Sequence, residues 1–154
     1  LGLSLQVVSG NAGPEGTVMA ANTSPIDVLT PNVDWNTVIT AANTAKDGTG
    51  TVTLAFTAGA NGAYISHLKL RSIGTNTASV CRVWINNGST NATAANNTLY
   101  TEVTLPATTL SEVAAQPDIL VPFGFGIDAG YKINLTLGTA VAAGYIPTVV
   151  GGDY

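Results

Sequence analysis

From Asp34 onward, apolar and polar residues alternate in short runs, and clusters of Gly, Asn, Asp and Pro separate one run from the next. In Thr51–Thr57 the side chains of Val52, Leu54 and Phe56 point one way, while Thr51, Thr53, Ala55 and Thr57 point the other. That period of two is the mark of a half-buried strand. Trp35, Thr37 and Ile39 share a face of an earlier run, and Tyr64–Ile73 sets Leu68 and Leu70 against His67, Lys69 and Arg71. Ser79–Asn86 turns Cys81, Val83 and Ile85 inward and Arg82 and Trp84 outward, which marks Trp84 as an interface residue. Leu99–Leu105, Asp118–Phe123, Tyr131–Leu137 and Tyr145–Val150 complete the series.

About eight strands at a spacing of roughly 14–19 residues, with no helix longer than a turn, predict an all-β domain built as a two-sheet sandwich or closed barrel, with a jelly roll as the leading topology. The pattern assigns Val52, Leu54, Phe56, Leu68, Leu70, Val83, Ile85, Leu99, Val103, Ile133 and Leu135 to the core. A single helical turn is expected in Thr109–Ala115, between Pro106 and Pro117, and a long polar loop over Asn87–Asn97. Residues 1–33 break the pattern with Gly10, Gly13, Pro14, Gly16, Pro25 and Pro31, and read as an extended N-terminal arm ahead of a β-sandwich domain at 34–154. The arm carries Leu3, Leu5, Val7, Val8, Val18, Met19, Ile26, Val28 and Leu29, more apolar surface than a solvated tail should hold. It is therefore expected to be laid on a surface, with a short β piece possible at Leu3–Val8.

Composition sharpens this picture. Only 9% of residues are charged and mean hydropathy is +0.31, against about 25% charge in an ordinary soluble protein. Thr, Asn, Ser and Gly take the place of charge, and these can be buried in protein contacts without the desolvation cost of an ion. Much of the surface is therefore expected to be interface. No apolar run approaches the ~20 residues of a spanning helix, and an aromatic content of 6% argues against the girdles of a membrane barrel. Net charge is −4, and Lys46, Lys69, Arg71, Arg82 and Lys132 are scattered, so no nucleic-acid footprint is expected. Cys81 is the single cysteine, which leaves no internal disulfide.

Candidate chemistry is sparse. His67 is the sole histidine, and its neighbour Ser66 should point to the opposite strand face, with no Gly-x-Ser-x-Gly elbow present. The carboxylates Glu15, Asp27, Asp34, Asp47, Glu102, Glu112, Asp118, Asp128 and Asp153 are dispersed. Gly124-Phe125-Gly126-Ile127-Asp128-Ala129 matches a dinucleotide fingerprint, but it leads into a strand where phosphate binding needs a helix N-terminus. Five Asn-x-Ser/Thr sequons, at Asn22, Asn87, Asn91, Asn96 and Asn134, are what an Asn/Thr-rich composition generates. The expectation is a non-enzymatic chain with no catalytic, cofactor-binding or metal-binding residue.

The runs Asp47-Gly48-Thr49-Gly50-Thr51-Val52, Phe56-Thr57-Ala58-Gly59-Ala60-Asn61-Gly62 and Ile85-Asn86-Asn87-Gly88-Ser89-Thr90-Asn91 resemble virion proteins of tailed phages. Ala129-Gly130-Tyr131-Lys132-Ile133-Asn134 and Val150-Gly151-Gly152-Asp153-Tyr154 continue the likeness, which covers roughly residues 43–154. The resemblance implies a capsid decoration, or cement, protein on the outside of the virion, with the major capsid protein and copies of itself as partners and a homotrimer as the assembly. It supplies no catalytic residues. The alternative is a fibre-tip or adhesin-type module that binds a receptor glycan.

Overall fold

The alternating runs become eight strands: β1 (Thr30–Trp35), β2 (Thr53–Thr57), β3 (Ala63–Ser72), β4 (Ser79–Asn86), β5 (Asn97–Leu105), β6 (Asp118–Ile127), β7 (Lys132–Leu137) and β8 (Tyr145–Asp153). The computed structural model describes residues 28–35 and 37–154, so the expectations for Leu1–Asp27, including the β piece at Leu3–Val8, lie outside the described residues. Two antiparallel sheets form, the first in the order β1-β8-β3-β6 and the second in the order β2-β7-β4-β5. The pairings nest: β4 with β5, β3 with β6, β2 with β7 and β1 with β8. A long hairpin rolled up across two sheets gives this order, which is that of the jelly roll.

β1 starts at Thr30, so the boundary expected between residues 33 and 34 falls inside a strand of the sandwich. Pro31 is tolerated because β1 pairs only with β8, and an edge strand can spare an N–H. Trp35 and Ile39 do not share a strand face: Trp35 ends β1 exposed, while Ile39 makes an isolated bridge to Tyr145 and is buried. The turn expected in Thr109–Ala115 is not helical. Ser111 Oγ accepts from the Val113 N–H at 3.2 Å, a local bond that competes with helix formation. Gln116 Nε2 donates to the Thr109 carbonyl and ties the loop ends together. A 3-10 turn, Ala94–Asn96, is the one helical piece among the described residues.

Between the sheets, Phe56, Leu68, Leu70, Val83, Ile133 and Leu135 are buried as expected, and Ile85 and Val103 pack partly buried against them. Leu54 and Leu99 are not core residues: each is 43% exposed. Val52 is only half-buried. Bulges account for Leu54 and Leu99. The β2–β7 register steps from Leu54↔Asn134 to Phe56↔Ile133, so Ala55 and Phe56 both turn inward and Leu54 is left outside. In β5, Val83↔Thr101 is followed by Trp84↔Leu99, and the extra residue Tyr100 moves Leu99 onto the outer face.

At one end of the sandwich a buried polar cluster joins three connections. Asn76 Nδ2 donates to Ser72 Oγ (2.9 Å) and to the Gly144 carbonyl (3.1 Å), while its Oδ1 accepts from the Ala143 and Gly144 amides, both at 2.8 Å. Thr108 Oγ1 joins Ser72 Oγ at 2.8 Å. No buried side-chain nitrogen or oxygen lacks a partner among the described residues, so the cluster is satisfied by its own structure.

Candidate functional site

Among the described residues, those with chemical potential form no cluster of three or more metal-ligating groups, and the one cysteine is buried. A bulge between Ile65 and His67 lets Ser66 Oγ approach His67 Nδ1 at 3.1 Å, but no described carboxylate bonds to the imidazole. Cys81 faces the core, and burial pushes its thiol up to about 12, despite the nearby Arg82 charge, which acts in the other direction. It is a protonated packing group at neutral pH. No group of three or more His, Cys, Asp or Glu that could hold a metal occurs among the described residues. No helix there is long and apolar enough to cross a membrane.

The sequons are structural in part. Asn134 is buried in β7, and Asn87, Asn91 and Asn96 brace the polar loop: Asn91 Nδ2 donates to the Gly50 carbonyl at 2.9 Å and Asn96 Nδ2 to the Thr90 carbonyl at 2.8 Å. Asn22 lies outside the described residues. Gly124–Ile127 is strand, and Tyr131 leads into β7, so the dinucleotide-like run has no helix to serve it.

Around Trp84 the outer face of the second sheet is covered by the chain itself. Trp84 points outward from β4, yet it is buried, so the expectation of an exposed interface tryptophan is corrected. Residues 42–51 run over it. Asn43 organises this cover: its amide nitrogen donates to the Thr49 and Thr51 carbonyls at 2.8 and 2.7 Å, and its Oδ1 accepts from the Ala45 amide at 2.9 Å. Asp47 Oδ1 accepts from the Thr49 hydroxyl (2.6 Å) and amide (3.0 Å), and these bonds hold the Asp47 carboxyl below its ordinary range. Gly48, at φ +79, lies so close that a Cβ there would stand 2.5 Å from Asn97 Cβ and 3.0 Å from the Trp84 ring. Beneath, Trp84 Nε1 donates to Thr136 Oγ1 at 3.0 Å.

The outer face of the first sheet has no such cover among the described residues. Register places Trp35, Thr148, Lys69 and Leu120 in one row across its four strands, and Val33, Val150, His67 and Pro122 in the next. Arg71, flanked by Ile146 and Asp118, forms a third. Trp35 is 74% exposed, Leu120 59% and Val33 52%. Asp118 stands between two cations, 3.7 Å from Lys69 Nζ and 3.4 Å from Arg71 Nη1, which leaves one positive charge in surplus.

At the β5–β6 edge Tyr100 stacks on Phe123 (centroids 4.7 Å apart), meets Phe125 edge-on (5.5 Å), and donates its hydroxyl to the Pro122 carbonyl at 2.8 Å. The open hollow beside it, about 250 Å³, is lined by Tyr100, Thr101, Val103, Leu120, Val121 and Pro122. A second of about 210 Å³ lies between Val52, Leu54, Ser89, Thr90, Asn91, Lys132 and Asn134. Both are smaller than common small-molecule sites. The broad feature is instead the first sheet's outer face, where exposed Val33, Trp35 and Leu120 stand beside Lys69, Arg71 and Asp118. Sequence periodicity placed His67, Lys69 and Arg71 on it, but missed Val33, Trp35 and Ile146 as their neighbours, because β1 and β8 join β3 only through the long-range register. No protein-family model, curated protein or solved structure matches this chain.

Proposed function

We propose that this chain is a structural virion protein that decorates and stabilises a phage capsid, bound to the outer surface of the major capsid protein at three-fold positions as a homotrimer. The observation that supports it best is the uncovered outer face of the first sheet, where Trp35, Val33 and Leu120 stand in solvent on a four-stranded surface. Removing such a face from water is favourable by about 25 cal/mol per Å² of apolar area, which supports contact with another protein. The low charge of the chain acts in the same sense. The jelly roll supplies the scaffold, and this reading involves no catalytic step.

Residues 1–27 extend the reading. They carry Leu3, Leu5, Val7, Val8, Val18, Met19 and Ile26 and lead directly into the β1 edge, and they add a second apolar contact to the capsid or to a neighbouring copy. The test is rebinding to particles that lack the protein. The full chain should saturate them at hundreds of copies per particle, and a truncation starting at Val28, which preserves β1, should fold yet bind far more weakly. A dozen or so copies per particle would favour the fibre-tip reading, and absence of binding would refute decoration.

A further inference from the structure

We propose that copies of this chain join head to tail, the loop between β5 and β6 of one copy seating on the outer face of the first sheet of the next. The inference rests on the assembly part of the proposed function and names its contact. The loop spans Pro106–Pro117 and holds two large apolar side chains in solvent, Val113 at 96% exposure and Leu110 at 56%. Between them in sequence stands Glu112, also exposed. An acid with Val113 beside it and Leu110 two residues before it complements the receiving face, where Lys69 lies between Thr148 and Leu120 in the row that Trp35 begins, and Arg71 lies in an adjacent row. Asp118 contacts both cations but carries a single negative charge, so Glu112 would balance the one left in surplus.

Charge also selects this arrangement over its rival. Face-on-face pairing about a two-fold axis would set the surplus positive charge of one sheet against the same charge on the other, and like charges brought together across an interface are strongly unfavourable. A loop-to-face contact joins unlike patches of two copies. Such contacts close into rings when the rotation between copies permits, with a trimer as the smallest ring beyond a dimer.

The experiment is a sedimentation series on the full chain, paired with tryptophan fluorescence. Wild-type protein should associate with rising concentration, and exposed Trp35 should shift its emission to shorter wavelength as it does so, while buried Trp84 stays constant. Glu112→Arg and Arg71→Glu should each weaken association by about tenfold or more, and the two combined should restore it. Val113→Asp, at a side chain with no fold contacts to lose, should weaken it as well. A wild-type chain that stays monomeric at the highest concentrations overturns the proposal. So does an oligomer indifferent to Glu112→Arg and Val113→Asp, or a charge swap that fails to restore association. A monomer whose Trp35 is already shielded would assign the face to the chain's own residues 1–27, which also overturns it. Particle binding is scored separately: an oligomer that responds as expected but ignores capsids would refute decoration and leave this contact standing.

Discussion

Trp84 on the second sheet and Trp35 on the first both point away from the core, yet one is 2% exposed and the other 74%. Trp84 stands on an inner strand and Trp35 on an edge strand, but each projects from the outer face of its sheet. The difference lies in residues 42–51, which cross the second sheet, folded on themselves by the Asn43 side chain and held there by Asn91 and Asn97. The first sheet has no counterpart among the described residues. An outward tryptophan thus has two meanings in one molecule: under a self-made lid it belongs to the fold, and without one it is available to a partner. The lid is made of Asn side chains and two left-handed glycines, Gly48 and Gly50, the same residue types that make the chain look featureless in composition.

The sharpest way to break this comparison is to remove each tryptophan. Trp84→Ala should destabilise the protein by roughly 3–5 kcal/mol in urea unfolding, as much as Phe56→Ala in the core. A loss below about 1 kcal/mol would mean that the cover does not seal. Next in size is Gly48→Ala, which combines a backbone at φ +79 with a Cβ driven against Asn97 and the Trp84 ring. It should cost about 1–3 kcal/mol and expose Trp84 to quenchers.

A smaller effect tests the interior that both sheets share. The Cys81 thiol is raised by burial from 9.0 to about 12, so the folded state holds its proton more tightly than the unfolded state does. That contribution is complete below about pH 9 and is lost as pH rises toward about 12, with about 1 kcal/mol gone by about pH 10. The raised Tyr145 phenol, also shifted mainly by burial, acts in the same direction. Thiol reagents should react with Cys81 only at the rate of global opening. Fast labelling of the native protein would contradict its place in the core. The smallest effect belongs to the open face: Trp35→Ser and Leu120→Ser should change monomer stability by no more than about 0.5 kcal/mol. A large loss there would show that the face is already covered.

Alternation in the sequence carried most of the fold. The run Ser79–Asn86 coincides with β4, and the other six expected runs that became strands differ mainly at their ends. Parity was lost where the backbone adds a residue. The bulges at Ala55 and Tyr100 reverse the faces of Leu54 and Leu99, and no side-chain pattern announces them. Pro31 marked a strand break where an edge strand accommodates it. The candidate site was legible only in part. Alternation sets His67, Lys69 and Arg71 on an outer side, as the register does, but it also predicts an exposed Trp84 and a face shared by Trp35 and Ile39. Burial of Trp84 depends on a segment that begins over forty positions upstream in the chain and contacts it only through the fold. Periodicity reports which way a side chain points, and it is silent on what arrives from elsewhere to meet it.

The nested pairing also sets the order in which the domain can be made. β1 has one partner strand, and Thr30 finds its opposite number at Asp153. As the chain emerges from the ribosome, β4 and β5 can close at once, while β1 and the outer edge of β3 must wait for β8 to be synthesised. Folding dominated by such distant pairings is slow, in the range of milliseconds to seconds for β-sandwich domains. During that interval both strands offer unpaired backbone to any neighbour, and in a cell producing many copies the nearest neighbour is an identical nascent chain. Premature stops before Tyr145 should therefore yield aggregates rather than a smaller folded domain.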